Sequence, residues 1–177
     1  MRLLCQSLTV LLAAIGACCV ALSAPPESTP LEFLGFKLGV TTMGAVAHAL
    51  NQKHYVPTET GPSLYTKGPI YDVDPAVYPK EGFRKLTFVF DIHQRLAAIV
   101  TTIDRSRYES LVAELRHNSS MFTEFLDDSK RPVALAVRGN GSVLLEGADV
   151  PADLYMVYQT TEFSEATTRD GKIHVHD

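Results

Sequence analysis

The segment from Phe83 to His117 constrains this chain more than any other. Its four pieces, FRKLTFVF, DIHQR, LAAIVTTI and DRSRYESLVAELRH, read as strand, tight turn, strand and capped helix. Leu86, Phe88 and Phe90 alternate with Lys85, Thr87 and Val89, the two-residue period of a half-buried strand. Leu96 to Ile103 is almost wholly apolar and rich in β-branched residues, which places it centrally in the sheet. Ser106 and Glu109 have the spacing of a capping box. Tyr108, Leu111, Val112 and Leu115 fall at i, i+3, i+4 and i+7, one apolar stripe to lay on the hairpin.

Patterns on either side of this unit extend it. Leu31–Leu38 reads as a first strand, and Gly39 ends it. Thr41 or Thr42 caps a helix to about Gln52 that carries Met43, Val46, Ala47 and Leu50 on one face. Residues His54–Gly82 hold five prolines, three glycines and four of the seven tyrosines. This composition predicts a long irregular connection with strand pieces near Leu64–Thr66 and Ile70–Val73. Met121–Leu126 fits either a helix extension or a strand. Val133–Val137 and Ser142–Glu146 flank Asn140-Gly141, a hairpin signal because both residues tolerate positive φ. Leu154–Gln159 reads as a last strand, and the chain turns polar from Thr160, with a short strand at Lys172–Val175. The expected class is α+β: an antiparallel sheet with two helices on one face, in the order β-α-β-β-α-β-β-β. Residues 31–160 form the single domain, and 161–177 a polar C-terminal tail.

The first 24 residues have the layout of a secretory signal peptide. Arg2 precedes an apolar run from Leu8 to Leu22, and Ala21-Leu22-Ser23-Ala24 offers a small-residue cut site. A Pro/Ser/Thr/Glu linker, residues 25–30, follows. Cleavage after Ala24 predicts an exported protein, periplasmic or secreted. Ile15-Gly16-Ala17-Cys18 also resembles a bacterial lipoprotein signal, in which Cys18 becomes lipidated and anchors the chain. Cys5, Cys18 and Cys19 all lie within the leader, so the mature chain has no disulfide and no cysteine nucleophile. Losing the leader takes Lys+Arg from 16 to 15 against 20 acids, a formal net charge of −5. With no run of like charge, that balance argues against nucleic-acid binding. A membrane enters only through Cys18 or an uncleaved leader.

The Gly39-Val40-Thr41 helix start, with Leu50 near its end, precedes strands of the form F-x-F-D-x-x-x-x-L (Phe88 to Leu96). These features resemble small BamE/SmpA-type, β-lactamase-inhibitor-protein-like envelope proteins. In that group the helix start reads Gly-Met-Thr, a Val follows six residues after the Gly, and Leu-Gly-x-Pro closes the helix. Here position 45 is Ala, the Val stands at 46, and Asn51-Gln52 replaces the Gly-x-Pro end. The resemblance covers about 60 residues. It implies an exported, two-layer α+β, non-enzymatic, partner-binding protein and carries no functional residue across.

Chemistry is sparse. His174-Val175-His176-Asp177 puts two imidazoles on one side of an extended chain, a metal pair only with a third ligand from elsewhere; an unstructured polar tail is the plainer reading. Asp91 and His93 read as turn residues satisfying local backbone groups. Asp72 and Asp74 form a D-x-D without further acids. No G-x-S-x-G, H-E-x-x-H, C-x-x-C or phosphate loop occurs, and no cofactor or metal is expected. The expected function is an exported, non-catalytic module that binds another envelope protein or envelope component. Its partner-binding candidates are Tyr55, Tyr65, Tyr71 and Tyr78, because tyrosine offers a large apolar face and a polar tip. The alternative is a small periplasmic enzyme or ligand-binding protein, with its site between the 54–82 loop and the sheet. Asp72, Asp74, Asp91 and His93 gathered in one cleft would favour it.

Overall fold

The computed structural model describes residues 29–127, 129–148 and 152–169. Cys18, the rest of the leader and the His174/His176 tail lie outside them. The first element of the described residues is a small hairpin, β1 (Glu32–Phe33) and β2 (Phe36–Lys37), where one longer strand was expected. Leu34 and Gly35 both take positive φ and fold the segment back. Helix α1 (Met43–Asn51) follows, with the Thr42 hydroxyl accepting from the Ala45 N–H as its cap. Next come β3 (Thr58–Pro62), β4 (Lys67–Val73), β5 (Lys85–Asp91) and β6 (Leu96–Asp104). Helix α2 (Tyr108–Asn118) leads to β7 (Met121–Leu126), β8 (Pro132–Arg138), β9 (Gly141–Gly147), β10 (Asp153–Thr160) and helix α3 (Thr161–Arg169).

Eight of these strands form one antiparallel sheet in the order β3-β4-β5-β6-β10-β9-β8-β7. The chain makes one unit twice, a helix followed by a four-stranded meander. The last strands of the two units pair at the centre. Val100 lies opposite Val157; on their other sides Val100 faces Thr87 and Val157 faces Leu144, so the register repeats across the centre. The helix-then-strands pattern is visible in the sequence, but the two units share too few residues for the repeat to be read there.

Helices α1 and α2 lie on one face, as expected. Val46 and Leu50 of α1 pack with Leu86, Phe88, Phe90 and Ile99. Leu111, Val112 and Leu115 of α2 pack with Ile103, Leu145, Leu154 and Met156. The third helix corrects the expected polar tail. Phe163 of α3 covers the opposite face against Ala98, Leu144 and Val157. Hydroxyls hold this short helix: Thr160 Oγ1 accepts from the Phe163 N–H at 3.2 Å, and Thr167 and Thr168 donate back to carbonyls one turn earlier.

Three further readings are corrected locally. The capping box does not form. Asp104 Oδ1 accepts the Ser106 N–H at 2.9 Å, one turn of 3₁₀ helix spans Arg105–Arg107, and α2 starts after it with no side-chain cap. Residues 64–66 are a turn between β3 and β4 rather than a strand piece. In the β8–β9 hairpin the positive φ belongs to Gly139, not to Asn140. A Cβ at Gly139 would collide with the Thr29 carbonyl oxygen. Asn140 is thereby free to hold the N-terminal segment: its Oδ1 accepts from the Leu31 N–H at 2.8 Å, and its N–H donates to the Thr29 carbonyl at 3.1 Å.

Two measurements test this packing. Phe88 is fully buried, so Phe88→Ala should cost about 3–5 kcal/mol and Leu111→Ala about 2–5 kcal/mol in denaturant titration. An unchanged midpoint for both would contradict the assignment of the helix-covered face. Tyr158 stacks on Phe33 with ring centroids 3.7 Å apart, and burial pushes its hydroxyl pKa up to about 12. The fold favours the neutral ring, so this contribution is complete below about pH 10, the unfolded value, and is lost as the pH rises through the folded one. Thermal unfolding followed above about pH 9 should show a shallower alkaline decline in Tyr158→Phe than in the parent. Part of the decline will remain, because burial and a hydrogen bond to Glu124 also raise Tyr108.

Candidate functional site

The two ends of the sheet differ in how their charges are held. At one end Arg84 joins Asp104 and Asp153, and Arg131 joins Asp127 and Glu146. Hydrogen bonds from Ser106 and the Arg84 charge hold the Asp104 carboxyl below its ordinary value. Asp127 is lowered in the same way by the Arg131 N–H and guanidinium. The more exposed Arg84–Asp104 pair adds little stability, whereas the Arg131 pairs are partly buried, with Glu146 itself buried.

The opposite end is built from turns. Residues 63–66 join β3 to β4, residues 92–95 join β5 to β6, and residues 38–42 lead into α1. These turns lie side by side. Lys67 pairs with Asp91 across β4 and β5, Thr66 Oγ1 donates to the Phe90 carbonyl at 2.6 Å, and the Met43 N–H donates to the Gln94 carbonyl at 2.8 Å. Each turn carries one aliphatic side chain more than half exposed: Val40 at 55%, Leu64 at 59% and Ile92 at 66%. Isolated exposed aliphatics are ordinary, but three on adjacent turns bring apolar surface to one end of the sheet.

Behind these side chains lies a cleft of about 430 Å³ between the turns and the first turn of α3. Tyr65, Leu96, Ala97 and Phe163 form its apolar wall. Asp91, Arg95, Asn140 and Glu162 supply its polar groups. Arg95 is exposed, and among the described residues its guanidinium has no ion-pair partner. The Asp91 carboxylate is committed: one oxygen accepts the N–H groups of His93 and Arg95, both at 2.8 Å. That bonding is the turn role expected of Asp91. Among the described residues no histidine lines the cleft. The hydroxyls of Thr66 and Thr160 there are engaged with backbone groups.

The four tyrosines singled out by sequence are all half-buried and divide between the two faces. Tyr55, Tyr71 and Tyr78 pack at the edge of the α1-covered core. The Tyr55 hydroxyl accepts the Asp74 N–H at 2.8 Å, the Tyr71 ring stands edge-on to Phe90, and Lys53 Nζ sits 3.6 Å above the Tyr78 ring. Tyr65 lies on the other face, edge-on to Phe163, and alone of the four lines the cleft. Of the acids, Asp72 accepts from the Thr87 hydroxyl at 2.6 Å and Asp74 caps the short turn at Pro75–Val77. Only Asp91 of the set Asp72, Asp74, Asp91 and His93 reaches the cleft. Among the described residues no three His, Cys, Asp or Glu side chains gather as a metal site. The residues that sequence reasoning passed over are Arg95, Asn140 and Glu162, which only the sheet order brings together. No family model, no curated protein and no solved structure matches this chain.

Proposed function

We propose that this chain is an exported, non-catalytic envelope protein that binds another envelope protein or envelope component through the turn end of its sheet. The observation that carries the reading is the exposure of Val40, Leu64 and Ile92 on three adjacent turns beside Arg95, whose guanidinium has no ion-pair partner among the described residues. Solvated aliphatics around one cation gain from being covered by a partner with an apolar surface and an acid. The leader and the BamE/SmpA-type resemblance support the envelope as the place, with cleavage after Ala24 or lipidation at Cys18 as the routes there. The tyrosines serve mainly to pack the 54–82 segment onto the sheet, and Tyr65 is the one that borders the binding end.

A second reading, a ligand-binding protein, is favoured by the cleft. The site was expected between a 54–82 loop and the sheet; β3 and β4 instead make much of that stretch part of the sheet, and the cleft lies between its turns and α3, joining an apolar wall to Arg95 and Glu162.

Affinity capture from the native envelope tests the first reading. Leu64→Asp/Ile92→Asp should lose the captured partner by an order of magnitude or more while thermal stability stays within about 0.5 kcal/mol, because both side chains are exposed. Arg95→Glu should weaken capture and reduce its sensitivity to salt. Capture unaffected by all three changes would contradict the reading. Loss of a small co-purifying molecule in Arg95→Glu, with protein capture intact, would favour the second reading.

A further inference from the structure

We propose that β7 is the interface of a symmetric dimer, in which a second copy of this chain continues the sheet by antiparallel pairing of β7 with β7. Independently of the turn end, β7 is an edge strand with nothing paired to its outer side among the described residues. Its sequence, MFTEFL, has no proline, glycine or lysine to discourage pairing. Met121, Phe125 and Leu126 are 56%, 46% and 64% exposed, a dense apolar display for one short strand. Half-buried Leu135 and Val137 of β8 continue the display on the same face as Met121, Thr123 and Phe125.

The other edge is closed to such pairing. Strand β3 reads TETGP, with a register irregularity between Glu59 and Gly61, and Pro62 has no N–H to donate. Of the two edges of the eight-stranded sheet, that leaves β7 for pairing between copies. That contact uses the same strand on both copies and closes as a dimer instead of propagating into a filament.

The strand also selects its register. The Asp127 N–H donates inward to the Arg131 carbonyl, so by antiparallel alternation the backbone groups of Phe122 and Glu124 point outward. Placing Glu124 opposite its own copy would oppose two like charges. Placing Thr123 on the two-fold axis avoids this. It sets Phe122 opposite Glu124 of the second copy, with hydrogen bonds between outward-facing backbones. On the exposed face, Met121 then meets Phe125 of the second copy and Thr123 meets Thr123, an apolar–polar–apolar row that complements itself. Glu124 keeps its bonds to Tyr108 and Arg116 on the helix-covered face.

The test uses the full chain with Cys5, Cys18 and Cys19 changed to Ser. Sedimentation should find a dimer for this parent and a monomer for Phe125→Lys, which carries the same leader and places a charge on an exposed position. Under mild oxidation Thr123→Cys should cross-link to a dimer, because directly opposed Cβ atoms lie within disulfide reach, while Met121→Cys alone should not. A monomeric parent, a dimer that survives Phe125→Lys, or cross-linking of Met121→Cys but not of Thr123→Cys would each overturn the proposal; a strand from another protein or from this chain's own tail on β7 would give the first of these results.

Discussion

The pairing of β6 with β10 is the contact on which the rest of the structure depends. Each meander alone is a four-stranded sheet with one helix, a small core with two open edges. Joining them end strand to end strand places Ile99, Ile103, Leu154 and Met156 under the two helices, and Ala98, Val100 and Val157 on the far face. Both central strands are then covered on both sides, which is why β6 reads as a nearly continuous apolar run rather than an alternating one. A charged residue at Ile99 or Val157 would lie between two packed layers with no route to solvent.

That central pairing also sets what each end of the molecule can do. Because the strands are antiparallel, the turns of the first unit and the β8–β9 hairpin of the second arrive at the same end. Asn140 there holds the N-terminal segment, and α3 starts from the same place, so Arg95, Asn140 and Glu162 border one cleft. At the far end the ion pairs of Arg84 tie β6 to β10 across the two units, and those of Arg131 tie the β7–β8 turn to β9 within the second. One end is thus fixed by charge pairing while the other keeps a cation and three aliphatics in solvent. This asymmetry is the chemical feature the described residues display most clearly.

Much of this was legible in the sequence where local pattern and tertiary need agree. Phe88 alternates with Val89 and lies in the core; Thr42 caps α1; Tyr108, Leu111 and Leu115 form the buried stripe of α2. What sequence concealed depended on competition or distance. Asp104 and Ser106 are both capping residues, and Asp104 takes the Ser106 N–H first, displacing the helix start. Helix α3 has only Phe163 and Ala166 as apolar residues and three β-branched threonines, a weak local signal. It forms because Phe163 fills the far face; the local hints were Thr160 as a cap and Glu162 in the first turn. The cleft could not be read because its residues lie dozens of positions apart. The tyrosines drew attention as an unusual local density, yet their rings pack against Phe90, Phe163 and the α1 core.

Native-state hydrogen exchange across the sheet measures the central pairing most directly. If β6·β10 holds both units in one cooperative core, the amides of β6 and β10 should exchange most slowly and share one opening free energy. Strands β5 and β9 should follow, and both edges should exchange fastest. A separate, less stable group comprising β7 to β10, opening while β3 to β6 remain protected, would contradict the account.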